Sequence, residues 1–179
     1  WLALPIAVAV GAIGGAFPDL GAFYPYSRDL VGRIAAAGAA RGGLLFAGHF
    51  AAYFFLYYVP WELFFRGFLL ISLLGAASRG PVGGRGAELG PSGTGTTTGG
   101  ALPSGETALA ATLVLFQTMP STMLHVGHPL SELFSAVAAG LGFGVLAWKT
   151  RSIVPGLLIH AAMGLGTDGL IVLRGAGVL

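Results

Sequence analysis

The chain has 179 residues, of which 55% are hydrophobic and only 9% charged, where a soluble domain carries about a quarter charged residues. With a mean hydropathy of +0.81, this is the composition of a membrane protein, and a net charge of +2 scattered along the chain gives no basis for a nucleic-acid partner. There are 0 cysteines, which excludes disulfides, thiolate metal sites and thiol catalysis.

Residues 1–17, WLALPIAVAVGAIGGAF, form a first apolar segment just long enough to span. It lacks the basic n-region of a signal peptide. The chain opens on Trp1 directly into this run and reads as a fragment or processed chain with earlier spans missing. PDLGAFYPYSRDLVGR follows and is expected to be an interfacial connection, because Tyr and Arg favour the headgroup region. Residues 43–76 are almost continuously apolar. As one helix they would extend roughly 50 Å at about 1.5 Å per residue, against about 30 Å of hydrocarbon. One long helix kinked at Pro60 is the expectation.

Residues 77–106 are rich in Gly, Ser, Thr and Pro and nearly devoid of large apolar side chains. Such a segment cannot bury enough surface to offset its ordering entropy, so a disordered loop is expected. Its glycines make no phosphate cradle, since the strand–loop–helix context is missing. A helix over 107–126, interrupted at Pro120, comes next, and HVGHP is a turn. Residues 130–148 form another span, KTRS a short basic loop, residues 152–167 a further helix and the last dozen a short apolar tail. Ala136, Gly140 and Gly144 recur every four residues and offer a ridge for close helix packing. The whole is read as a single all-α, integral-membrane domain over 1–179, a polytopic transmembrane helical bundle in a lipid bilayer. Orientation stays open: Arg28, Arg33 and Arg41 compete with Arg79, Arg85, Lys149 and Arg151.

Within this apolar chain a few polar residues stand out. A charge at mid-bilayer costs about 2.5–3.5 kcal/mol on insertion scales and is tolerated when it faces the bundle interior with a partner. Glu62 and Arg66 lie at i, i+4 on one helical face and can pair. As a structural pair they fix helix register. His125 lies near the end of one apolar helix, with His128 one turn on, and His160 lies within another. A Glu and two His from three helices could meet at one point. They would supply a base, a positioning imidazole and an oxyanion donor, and also a two-His-one-carboxylate zinc set. His49 is given a structural or interfacial role. Glu132 opens a helix, where the dipole favours an anion. Capping is its first reading and a role beside His125 its second. Asp168, in GTDG, reads first as a helix-terminal turn residue and second as a cavity-lining group about two turns beyond His160.

Three stretches, WELFFRGFLL, STMLHVGHP and TRSIVPGLLIHAAMG, resemble the CPBP or Abi family, which holds type II CAAX prenyl proteases and bacteriocin-processing or self-immunity proteins. The family pattern is EExxxR, then FxxxH, then HxxxN, on separate membrane helices. The resemblance covers roughly residues 43–170 apart from the Gly-rich loop. Glu62 matches the second glutamate, His125 the histidine of the second motif and His160 that of the third. The resemblance implies a bundle of the type II CAAX prenyl protease kind in a bacterial plasma membrane. It implies an intramembrane endopeptidase acting on a membrane-associated protein or peptide. Glu62 is the expected catalytic carboxylate, His125 positions the water and His160 donates to the oxyanion. Arg66, His128, Glu132 and Asp168 support them. Members are sometimes described as metalloproteases; the glutamate mechanism implied here needs no cofactor, with zinc as the alternative.

Trp61 stands at the first glutamate of the pattern, Ser121 at the phenylalanine and Gly164 at the asparagine. Adjacent helix positions differ by about 100°, so Glu62 cannot simply take Trp61's place. Either a kink at Pro60 turns Glu62 inward or Glu132 or Asp168 substitutes. Two other readings stay open at this level: a non-catalytic membrane scaffold or self-immunity protein, and a transporter with an intramembrane proton relay, for which no inverted repeat is visible.

Overall fold

The computed structural model describes residues 2–25, 28–78 and 105–179. Among these, the regular elements are helices. They are α1 (Ala3–Gly15), α2 (Pro18–Phe23), α3 (Arg28–Tyr53), α4 (Val59–Glu62), α5 (Leu73–Ser78), α6 (Gly105–Met123), α7 (Leu130–Thr150) and α8 (Val154–Gly175). Two π-helical stretches, Phe54–Tyr58 and Leu63–Ser72, join α3, α4 and α5. Among the described residues, three helical runs, Asp29–Ala77, Leu130–Thr150 and Val154–Gly175, are long and apolar enough to cross a membrane.

The partition of side chains is the inverse of a soluble protein's. Phe55, Leu56, Phe64, Phe68, Met119 and Phe134 point outward, while Glu62, Arg66, Gln117, Ser121 and Asp168 are buried. Lipid solvates the first set without cost. The second set finds its partners inside the bundle, as a medium without water demands. The chain is thus an all-α, polytopic membrane bundle.

Two small-residue contacts hold it together. On α1, side chains at Gly11 and Gly15 would run into the backbone of Met163 and Thr167 of α8, and one at Gly166 into the backbone of Val8. The Thr167 hydroxyl donates to the Gly11 carbonyl at 2.9 Å across this seam. The ridge on α7 seats against α6, with Gly140 facing Thr118 and Gly144 facing Gln117 and Val114. Gln117 Nε2 donates to the Gly140 carbonyl at 2.8 Å. Leu70, Val114 and Ala147 form the apolar core between the long run, α6 and α7.

Several boundaries differ from the sequence expectation. Residues 1–17 do not make a full span: α1 has 13 residues, about 20 Å at 1.5 Å per residue. The interfacial connection is largely helical, as α2 and the start of α3. The non-helical dihedrals in the long run fall at Gly38 (φ 74°, ψ 167°), not at Pro60, whose neighbours Val59 and Glu62 keep right-handed dihedrals. Glycine alone adopts that φ without penalty, while the π-helical turns around Pro60 absorb its missing N–H. Pro120 does not interrupt α6, which runs on to Met123. Only one internal hydrogen bond is forfeited there, close to the helix end. α8 continues through the supposed tail to Gly175. Of the expected loop at 77–106, residues 79–104 lie outside the described residues, and its ends, Ala77–Ser78 and Gly105–Glu106, belong to α5 and α6. HVGHP is a turn as expected, with Gly127 at φ 100°. The basic loop turns on a left-handed Arg151, which pairs with Glu106 at the start of α6.

Candidate functional site

The site is assembled where α4, the turn after α6, the start of α7 and the middle of α8 converge. Glu62 ends α4 and is wholly buried. Its Oε1 lies 3.2 Å from Arg66 Nη1 and 2.9 Å from His160 Nδ1. Its Oε2 has no hydrogen-bond partner among the described residues. Arg66 places its guanidinium 5.5 Å from the centre of the Phe143 ring, so an aromatic face shares the cation with the carboxylate. The pair predicted by the i, i+4 spacing is therefore present, and it binds a third residue from a distant helix.

His160 is clamped on both sides, by the Tyr58 ring at 4.9 Å and the Phe143 ring at 5.6 Å between centroids. With Nδ1 committed to Glu62, its Nε2 is the nitrogen left for chemistry. His125 is held differently. Its Nδ1 lies 2.8 Å from the Ser121 carbonyl oxygen. A carbonyl only accepts, so Nδ1 carries the proton and the neutral ring keeps its lone pair on Nε2. Burial pushes the His125 pKa down, outweighing the Ser121 hydrogen bond and the nearby Glu132, so the neutral form is favoured. The Trp61 ring stands edge-on to His125 at 5.3 Å.

Glu132 does not cap its helix with its side chain. The Tyr24 hydroxyl donates to its Oε1 at 2.7 Å, His128 Nδ1 lies 3.1 Å from Oε2, and His125 Nε2 lies 3.8 Å from Oε1. The second reading of Glu132, beside His125, is the geometry observed. Nearby, the Ser131 hydroxyl donates to Asp19 at 2.7 Å, pinning α2 to the start of α7 and holding the Asp19 carboxyl below its ordinary range. Asp168 is not a terminal turn residue: it is buried in the interior of α8, because that helix outruns the GTDG sequence. It accepts from, or is paired with, His49 Nε2 at 3.0 Å, which gives His49 the structural role expected of it.

These groups surround a cavity of about 330 Å³ lined by Tyr24, Tyr58, His125, Glu132, His160 and Asp168 on its polar side. Its apolar side includes Val10, Ile13, Phe17 and Leu20. A smaller pocket of about 90 Å³ adjoins Trp61, Arg66, Ser121, His125 and His160. The structure thus brings His125, Glu132, His160 and Asp168 to one cavity, with Glu62 and Arg66 directly behind His160. Glu62 itself lines neither space. Sequence reasoning missed Tyr24 and Tyr58, which sit in aromatic stretches that read as interface or lipid contact. The signal for Tyr58 was Gly164, whose missing side chain leaves the space that the Tyr58 hydroxyl fills.

Among the described residues, no three His, Asp or Glu side chains are grouped so as to hold a metal ion. Glu62 is engaged by Arg66 and His160, and His125 and His160 are each held through Nδ1.

Neither the curated proteins nor the solved structures include a match to this chain. The family model described as type II CAAX prenyl endopeptidase Rce1-like matches residues 43–166. That span takes in Glu62, Arg66, His125 and His160 and covers more than half of the chain. Three membrane-crossing runs, a buried Glu–Arg–His cluster and this match agree: the chain is an integral membrane protein belonging to the Rce1-like, type II CAAX prenyl endopeptidase family.

Proposed function

We propose that the chain is an intramembrane endopeptidase that hydrolyses a peptide bond of a membrane-associated protein or peptide, of the CAAX or leader-peptide kind. We place it in a bacterial plasma membrane on the strength of the family resemblance. The observation that carries the reading is the placement of His125 and His160 at one cavity with polar and apolar lining, with Glu62 bonded to His160 from behind. The apolar side suits a lipid-anchored or hydrophobic segment of substrate. The polar side suits the scissile amide and a water.

In this reading Glu62 bonds His160 Nδ1 and fixes its ring. Protonated on both nitrogens, the ring presents Nε2–H to the carbonyl oxygen as negative charge develops on it. The Tyr58 hydroxyl lies beside the same ring and is a second donor. His125 Nε2 accepts a hydrogen bond from the attacking water and orients it. Arg66 holds the Glu62 rotamer. His128, Glu132 and Asp168 complete the polar wall. No metal is required by this arrangement of roles.

Purified protein in lipid nanodiscs, given a fluorogenic farnesylated CAAX-type peptide and a bacteriocin leader peptide, tests the reading. Wild type is expected to cleave one of them. Glu62→Gln, His125→Ala and His160→Ala are each expected to lose at least about a hundredfold in kcat while remaining folded. Wild-type rates in all three variants would sink the assignment. Absence of cleavage by wild type would favour a membrane scaffold.

A further inference from the structure

We propose that Glu132 is the general base of the reaction, in the place left by the carboxylate that Trp61 replaces; this rests on the endopeptidase reading. The site needs a group that removes a proton from water, and the sequence motif offers Glu62. Yet Glu62 is fully enclosed, with Oε1 shared between Arg66 and His160, and it faces neither cavity. Trp61, which holds the first-motif position, packs edge-on against His125 and has no acid–base chemistry. Glu132 is different. Its side chain keeps 15% of its surface accessible, against 0% for Glu62. It lines both the large cavity and the smaller pocket, as do His125 and His160.

Its surroundings suit a base. Glu132 lies in the first turn of α7, where an acidic side chain suits the helix dipole. The Tyr24 hydroxyl, from the end of α2, orients Oε1 at 2.7 Å, and His128 stands 3.1 Å from Oε2. The 3.8 Å between Oε1 and His125 Nε2 is too long for a direct hydrogen bond. At that separation one water can donate a hydrogen bond to the lone pair of His125 and another to the carboxylate.

The step balances without a co-reactant. Glu132 takes one proton from water as the water oxygen bonds to the scissile carbonyl carbon, and the C=O electron pair moves onto oxygen beside His160 and Tyr58. The tetrahedral intermediate collapses, the C–N bond breaks, and the Glu132 carboxylic acid gives its proton to the departing amine. The products are a carboxylic acid and an amine, and Glu132 returns to its starting form. Tyr24 and His128 are positioning residues for this carboxylate.

The test compares four proteins in nanodiscs with the farnesylated CAAX-type peptide: wild type, E132Q, E132D and E132A. We expect E132Q to lose at least about a hundredfold in kcat with KM little changed, and E132D to retain part of the activity. The acidic limb of the wild-type pH–kcat profile should disappear in E132Q. Added formate should restore E132A in a concentration-dependent manner, which a purely structural glutamate would not allow. Should E132Q misfold, the E132D profile and formate rescue of E132A carry the test. Wild-type kcat in E132Q, or no formate rescue of a folded E132A, overturns the proposal. If E132Q is active while His125→Ala and His160→Ala are dead, the protease reading stands and only the base is wrong. If wild type cleaves neither this peptide nor a leader peptide, the reading beneath the proposal falls and takes it along.

Discussion

Gly164 of α8 faces the Tyr58 hydroxyl so closely that even a methyl group at position 164 would overlap it. The family pattern has an asparagine there. In this chain Tyr58, from the long helical run, occupies the space over Gly164, beside His160. The two residues are therefore one unit, and changing either alone should disturb the other.

Gly164→Ala is expected to destabilise the protein by about 1–3 kcal/mol, the usual cost of overpacking. Tyr58→Ala added to it should recover part of that loss, because the clashing group is gone. Thermal unfolding of the two single variants and the double variant in detergent gives the coupling. Strict additivity would show that the two side chains do not compete for space.

The buried ion pair makes an asymmetric prediction. Arg66→Ala leaves the enclosed Glu62 carboxylate without its cation and should cost about 3–5 kcal/mol. Glu62→Gln keeps the shape and a hydrogen-bonding group for His160, and should cost clearly less. Fluorescence-detected size exclusion after a heat series separates the two. The reverse order would mean that Arg66 is held by something other than Glu62.

The helical architecture and the Glu62–Arg66 pair were legible in the sequence because hydrophobic run length and i, i+4 spacing are local properties. The small-residue ridge of α7 was legible for the same reason, and it seats on Thr118, Gln117 and Val114. What stayed hidden was non-local. No periodicity links Tyr24 to Glu132, which lie 108 positions apart, or His49 to Asp168, which lie 119 apart. Asp168 was misplaced because GTDG has the composition of a turn, and packing of α8 against α1 overrides that weak preference. Pro60 misled in a similar way: a proline in a helix signals a kink, but π-helical turns accommodate it.

The α1–α8 seam should be unforgiving. Gly11→Ala and Gly166→Ala each push a methyl group into the facing backbone, and backbone cannot swing aside as a side chain can. Each should cost at least about 1–3 kcal/mol. Gly142→Ala, on α7 with nothing within 4 Å of the added carbon, should instead stabilise by about 0.5–1 kcal/mol through helix propensity. Melting temperatures of the three proteins, measured together, check the contrast; equal shifts would contradict the packing described.

Metal dependence separates two chemistries. Activity is expected to survive exhaustive dialysis against a chelator, and the purified protein to carry far less than one zinc per chain by elemental analysis. One tightly held zinc per chain, lost in His125→Ala, would move the reaction to metal-assisted hydrolysis.

The hydrogen bond between His125 Nδ1 and the Ser121 carbonyl has a consequence for proton traffic. A ring with one nitrogen tied to the backbone can take a proton on the other, but it cannot hand it onward through its far side. His160 is tied through Nδ1 to Glu62, which is itself paired with Arg66. His125 is therefore a dead end: a proton it takes up from the cavity goes back into the cavity. Such wiring serves a reaction that begins and finishes in one chamber. It makes a poor wire from one side of a bilayer to the other, and a proteoliposome holding a pH gradient should stay as tight with this protein as without it.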